Sequence, residues 1–581
     1  MRTAHGGALG AVALALISLA LGCGPAASRD SDAGSDPGGS HGDGDGDGDG
    51  TGTCSPQCSA DGRTVLDCNG EVVEHCDGAL ACDPRSTTCV NACQAAENDK
   101  RSVGCDYYAT DMDVSRPELC FAAIVANTWS SPAKIHVEYQ GRLLPVEQFT
   151  RIPSGSGPSL GYAPYDPALG VPPGEVAILF LSGDSTADPP CPVAPAIPNA
   201  GVNGTTIGDA FRITTDVPVV AYQINPYGGG SVAVTAASLL VPTSAWADEY
   251  VAVNVSPKDP GTQSNTPSLN IVAREDATAV TLVPRAAVAG GPGIPAGAAG
   301  APLTIMLNRG QHAQISQTAE LTGSIVTADK PIGLMAGQRC MNMPVGTSYC
   351  DHGEQMVPPV RALGHRHVGV MYRPRVPTET KTYWRIVGTV DGTQLTWSTN
   401  VGGPTRLARG EAVTFETGTP FVVESQDENH PFLLFTYMTG SRHVQNGHGD
   451  PDFVLGVPPE QYLKQYVFFT DPTYPETHLV VVRTRDGGQF HDVTLDCAGP
   501  LSGWQSVGAE FEYTRVPLTT GNFQNVGACS TGRREIQSTA PFGLWVWGWG
   551  TPLTTSFTAQ VSYGYPGGMN VQPINDVILR H

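Results

Sequence analysis

Positive charge is scarce in this chain of 581 residues, where 33 Lys and Arg face 55 Asp and Glu for a formal charge of −22. A surface of that sign repels a phosphate backbone, which excludes nucleic acid as a partner. Charged residues of either sign make up only 15%, and no stretch carries apolar residues at helical spacing for long. Paired C-x-x-C spacing is missing, which argues against a structural zinc site. Long apolar runs are missing too. The stretch Ala8–Leu21 is too short to span a bilayer comfortably. What remains is rich in turn formers, with 69 Gly and 48 Pro, a composition that predicts short strands joined by many turns.

One stretch organises the rest. Ala210–Pro226 (AFRITTDVPVVAYQINP) returns as Ser324–Gln338, Phe421–Gly440 and Glu535–Trp549. Each copy has a β-branched residue, then small or polar residues, then a proline (Pro218, Pro331, Pro431, Pro541), then an apolar run. The third copy carries extra residues in Gln426–His430. Proline lacks an amide hydrogen and suits the start of a strand. Four positions past each proline stands a large side chain, Tyr222, Met335, Phe435 or Trp545, which reads as buried. Each copy is expected to be the central strand of one β-module.

The amino terminus, with Arg2 ahead of Ala8–Leu21, looks like a secretory signal. Ala20-Leu21-Gly22-Cys23 resembles a bacterial lipobox, although Leu is usual where Ala20 stands; Cys23 would be the lipidated residue. Ser28–Thr53, with GDGDGDGDG at Gly42–Gly50, buries nothing and reads as a solvated tether. Its aspartates lack the spacing of a calcium loop.

Fifteen cysteines in an exported chain predict disulfides. Cys54, Cys58, Cys68, Cys76, Cys82 and Cys89 form a cluster in a polar stretch that needs cross-links, of undetermined connectivity. The others pair by proximity as Cys93–Cys105, Cys120–Cys191, Cys340–Cys350 and Cys497–Cys529. The expected layout is a signal peptide (1–22), tether (23–53), disulfide-rich segment (54–93) and four β-modules (94–240, 241–356, 357–456, 457–581). The fold class is therefore all-β, with tandem β-sandwich-like modules. Each module opens with two strands read as a hairpin, such as Ser268–Arg274 with Ala279–Val283, or the pair around Asp391-Gly392. A Gly-bearing edge follows at Gly174, Gly310 and Gly410, with no clear fourth copy. Connectors repeat as Val241-Pro242…Tyr250, Val357-Pro358…His367 and Val457-Pro458…Tyr466, which suggests modules packed in a fixed arrangement.

Gly104–Ala109 (GCDYYA), Ala210–Asn225 and Ala237–Tyr250 (ASLLVPTSAWADEY) resemble the signature blocks of the IgG Fc-binding protein N-terminal domain family. The resemblance covers roughly residues 100–450, and the fourth module more loosely. It implies an extracellular, binding or adhesive role and supplies no catalytic residues. Fc binding itself does not carry over, because no motif identifies contact residues.

Enzyme signals are poor. Gly157-Pro158-Ser159-Leu160-Gly161 fits G-x-S-x-G without the strand before it and helix after it that a nucleophile elbow needs. His365 and His367 lie in a connector, where His367 holds the place of Tyr250 and Tyr466. His443, His448, Asp450 and Asp452 are ligand types in one polar loop, yet no metal or other cofactor is expected. Trp545, Trp547 and Trp549 alternate on one strand and face one way, so Trp547 and Trp549 are a candidate glycan-stacking platform, although the position of Trp545 argues for core. The expected function is non-catalytic binding or adhesion by a lipoprotein at the outer membrane or cell surface. Its partners would be the membrane, through the lipid, and an extracellular protein or glycan. Alternatives are a structural envelope protein and a metal-assisted hydrolase using the His443–Asp452 loop.

Overall fold

A computed structural model describes residues 55–229, 232–257, 265–444, 447–554 and 559–579. The expected signal (1–22) and tether (23–53), with Cys23, and Cys54 lie outside these. The architecture is all-β. Four units follow one another, and each is built on one of the proline segments.

The second unit shows the plan. Ile325–Met341 runs as one long strand through Pro331 and changes partners there. Its front half pairs with Ala247–Val251 and Thr278–Val283, in register Thr327↔Thr281. Its rear half pairs with Pro267–Ala273 and Asp351–Met356, in register Met335↔Asn270. The strand thus belongs to both sheets of a sandwich, crossing from one to the other as corner strands do. Phe211–Asn225 and Gly532–Trp549 cross in the same way. In the third unit the insertion Gln426–His430 breaks the crossing strand into Phe421–Ser425 and Phe432–Met438, and the sandwich separates into two four-stranded sheets.

Two expectations change here. The prolines sit inside the crossing strands of three units rather than at strand starts. Proline costs no ladder bond at the point where the strand leaves one sheet for the next. The opening strands do not pair with each other either. Pro267–Ala273 and Thr278–Val283 flank different halves of the crossing strand, as do Thr382–Gly388 and Thr393–Trp397. Their link is a corner between sheets. Where the fourth unit's first opening strand ends it makes a tight hairpin, Asp486↔Gln489 across Gly487-Gly488, with both glycines at positive φ as such a turn requires.

Leaving a sheet strands a carbonyl, and one side chain repairs it in every unit. The hydroxyl of Tyr107 donates to the oxygen of Val219 at 2.7 Å, and that of Tyr250 to Ile332 at 2.7 Å. Tyr466 donates likewise to Phe542. Each acceptor directly follows the unit's proline. In the third unit His367 Nε2 lies 3.0 Å from the oxygen of Phe432. A carbonyl only accepts, so Nε2 carries the proton. Burial pushes the imidazole down to about 4, which keeps it neutral. Tyr250→Phe would orphan a buried carbonyl and is expected to cost about 1–3 kcal/mol. Chemical denaturation reads this directly, and His367→Tyr should by comparison be tolerated.

The four units close on themselves. The last strand of each, Ala236–Leu240, Asp351–Met356, Asp452–Leu455 and Ser562–Pro566, packs against the next, and the fourth against the first. Gln355 Nε2 donates to the oxygens of Ala237 (2.9 Å) and Gly564 (3.1 Å), tying three of these strands together. The seam between first and fourth units is sewn by the two ends of the folded chain. Ser102 N donates to Met569 O and Val571 N to Lys100 O, both at 2.8 Å.

The large residue four past each proline is buried, but it also serves the joints between units. Tyr222 packs on Tyr565 at 4.6 Å, Met335 Sδ accepts from Thr110, and Trp545 Nε1 donates to Leu455 O. Trp547 and Trp549 share that fate, with 2% and 0% of their surface exposed. Trp547 packs on Tyr372 of the third unit, and Trp549 stacks on His478 at 4.7 Å with Arg373 on it. They are therefore no glycan platform. Alternation aligned the three indoles, and the neighbouring unit covers the face they share.

A loop face at one end of the ring

The loops joining each crossing strand to its last strand meet at one end of the ring. The second and third are linked by Gly440 N to Met343 O (2.7 Å), and the third and fourth by Gly449 N to Gly550 O (3.0 Å). The first reaches the second through His352 N to Val234 O (3.1 Å). It reaches the fourth through Thr235 Oγ1 to Ser562 O (2.8 Å). A rigid scaffold that gathers its loops at one end is a common way to build a binding surface.

Disulfides stiffen the molecule. Cys93–Cys105, Cys120–Cys191, Cys340–Cys350 and Cys497–Cys529 are joined, the pairs that proximity suggested. Near the amino terminus Cys58 bonds Cys82, Cys76 bonds Cys89, and Cys68 is also disulfide-bonded. Cys340–Cys350 clasps the second loop. Just inside the clasp, Tyr349 has φ +65°, a conformation costly for an aromatic residue, and 45% of its surface is exposed. Arg442 from the third loop lies over its ring at 4.8 Å and donates to its hydroxyl at 3.2 Å. Val345 in the same loop is also exposed. Neither Tyr349 nor Arg442 stood out in the sequence; the short spacing of Cys340 and Cys350 was the available signal.

The polar loop His443–Asp452 lies on this face but does not assemble as a ligand set. His443 packs edge-on to Tyr383 at 6.2 Å. His448 is half-buried and pushed down by desolvation. Asp450 accepts from Ser441 N at 2.9 Å, and burial raises its carboxyl to about 6. Asp452 accepts from Phe453 N at 2.6 Å, and burial holds its carboxyl well above the usual range. Among the described residues no group of three or more His, Cys, Asp or Glu side chains could hold a metal ion. Beneath the loop, Arg375 and Glu379 form a buried ion pair at 2.6 Å, and Arg375 also holds His448 O at 2.9 Å. The G-x-S-x-G segment is a short 3₁₀ turn, Gly157–Ser159, whose serine hydroxyl donates to Ser156 O.

A family model described as IgGFc binding protein matches residues 236–548, from the last strand of the first unit to the crossing strand of the fourth. A human protein named IgGFc-binding protein is 26% identical over 302 residues. That alignment takes in 51% of this chain and 5% of the human protein's length. No solved structure matches.

Proposed function

Since the chain belongs to the IgGFc-binding protein family, as the match over residues 236–548 shows, we propose that it captures an extracellular protein on its loop face. The reading is of a non-catalytic binding protein, presented outside a bacterial cell by a lipid on Cys23 and the acidic spacer that follows. Adhesion is the role this presentation serves.

The observation that carries the reading is the Tyr349–Arg442 pair. Tyr and Arg are the residue types that dominate interface energetics. Here both are held before any partner arrives, by the Cys340–Cys350 clasp, the left-handed backbone at Tyr349 and their mutual contact. Preorganisation of this kind removes ordering cost from binding.

The test is surface capture of a panel of extracellular proteins, with human immunoglobulin G Fc among the probes. Tyr349→Ala and Arg442→Ala are each expected to weaken the captured partner at least about tenfold, while the melting curve stays in place. Unchanged capture by both variants would remove the loop face from the reading, and a panel without any bound protein would end it. Incorporation of labelled fatty acid, lost in Cys23→Ser, tests the anchor.

A further inference from the structure

A cleft of 740 Å³ opens at the seam of the ring, away from the loop face. One wall is the disulfide-rich segment with the helix Ala92–Asp99; the other is the front sheet of the fourth unit, with Thr128–Ser130 and Pro218 of the first unit completing it. The size lies within the roughly 300–1,000 Å³ of small-ligand pockets.

The polar groups on its walls are paired so that charge cancels. Arg101 lies 2.6 Å from Asp99, and Arg533 lies 3.1 Å from Glu535. Gln465 Nε2 donates to Glu535 Oε1 at 2.5 Å, and the Gln537 side chain stands exposed beside it. Arg63 lies over Trp129 at 5.2 Å and donates to Thr128 O at 2.7 Å. The Nε atoms of Arg63 and Arg533 are buried and donate to no group among the described residues, although a buried donor left unmade is costly. An anion entering here meets Asp99 and Glu535, and a cation meets the guanidinium groups. A neutral ligand that donates and accepts from adjacent atoms satisfies both. Vicinal sugar hydroxyls have that property, each being donor and acceptor at once. Between the polar groups Pro218, Leu463 and Val467 offer an apolar surface for the C–H faces of a sugar ring.

We propose that this cleft binds a neutral oligosaccharide. The site is separate from the Tyr349–Arg442 pair and does not depend on it. It is rigid by construction, because one wall is cross-linked and both walls are fixed by the closed ring.

The experiment applies the full chain to an array of neutral, sialylated and sulfated glycans, followed by calorimetric titration with the best neutral binder at low and high salt. Neutral glycans are expected to bind with salt-independent affinity. Gln537→Ala and Glu535→Gln are each expected to weaken that binding about tenfold without moving the melting temperature, and Tyr349→Ala to leave it unchanged. Binding of charged glycans alone, affinity lost at high salt, or neutral binding indifferent to both cleft variants would overturn the proposal. So would an array without bound neutral glycan, or a cleft filled by a peptide of residues 24–53 added in trans.

Discussion

Ending the chain after Gly567 is expected to open the ring and lower the melting temperature by on the order of 10 °C. Residues past that point complete the seam. Met569 and Val571 are each 3% exposed and Leu579 is 6% exposed. Fully burying side chains of this size stabilises by about 1.5–3 kcal/mol each, so the loss of the three removes about 4.5–9 kcal/mol, an upper figure because unfolded chains already bury some apolar surface. The hydrogen bonds to Lys100 and Ser102 go with them. So does the cover that Val577 and Leu579 provide over Val251 and Ile325 of the second unit and Val360 of the third. A linear array would lose only its last repeat; a closed one loses a joint between its first and fourth members. Ending after Pro573 instead keeps residues 569–571 with their bonds to Lys100 and Ser102 and should cost much less. Calorimetry together with proteolysis of the joint near Val457–Tyr462 distinguishes the two, and a Gly567 truncation that melts like the intact protein would show that the last strands alone hold the ring.

Much of this fold was legible, and the reasons differ from element to element. The prolines at 218, 331, 431 and 541 marked the crossing strands because proline is confined to few places in a sheet. They did not reveal that the strand continues through them, since an apolar run reads alike in one sheet or two. Gly508, with φ +64°, fills the fourth copy of the Gly-bearing edge, ahead of the strand Phe511–Thr520. It escaped notice because only the pattern Gly-x-Glu survives there, and a positive φ leaves no other mark in sequence. The closure of the ring was hidden more deeply. The four last strands read AASLL, DHGEQM, DFVL and SYGYP, with no motif in common. Each is fitted to a different neighbour, so the repeat is in the backbone and not in the side chains. Trp547 and Trp549 failed as a platform for a related reason, because periodicity gives the face of a strand but not what lies against it. The Tyr349–Arg442 pair joins two loops far apart in sequence, and only the ring brings them together.

The ring's centre makes a second large effect, a stability that falls as pH rises through about 6. Asp351 and Asp452 open neighbouring last strands. Both are buried, each has one oxygen without a hydrogen-bond partner among the described residues, and burial holds both carboxyls well above their usual 3.8. Asp450 adds to the rise at Asp351 through its charge. Asp111, Asp450 and Asp471 are raised to about 6, again by burial. For all five the folded state holds a proton that the unfolded state has released, so their contribution is complete below pH 3.8. That of the last three is lost as pH passes through about 6. The contribution of Asp351 and Asp452 is likewise lost as pH rises through their raised range. Three buried histidines oppose this. Burial lowers His312 to about 3, and His367 and His478 to about 4. These gain stability as pH rises from about 3 to 6.5, and above that their contribution is complete and no longer changes with pH. The five carboxyls outnumber the three histidines. Glu379 and Glu476, held below 4.5 by Arg375 and by His478 with Arg373 against the pull of burial, lose their contribution only under stronger acid. Relief of self-repulsion in a chain of formal charge −22 acts in the same direction as the carboxyls. Denaturant titrations across this range should therefore give a maximum on the acid side of neutrality. Asp351→Asn with Asp452→Asn replaces two acids by neutral groups of the same shape, and is expected to stabilise the protein on the alkaline side and to flatten the fall of stability with rising pH. A wild-type optimum at pH 7 or above, or a slope untouched by the double substitution, would mean that these carboxyls are ionised in the folded ring.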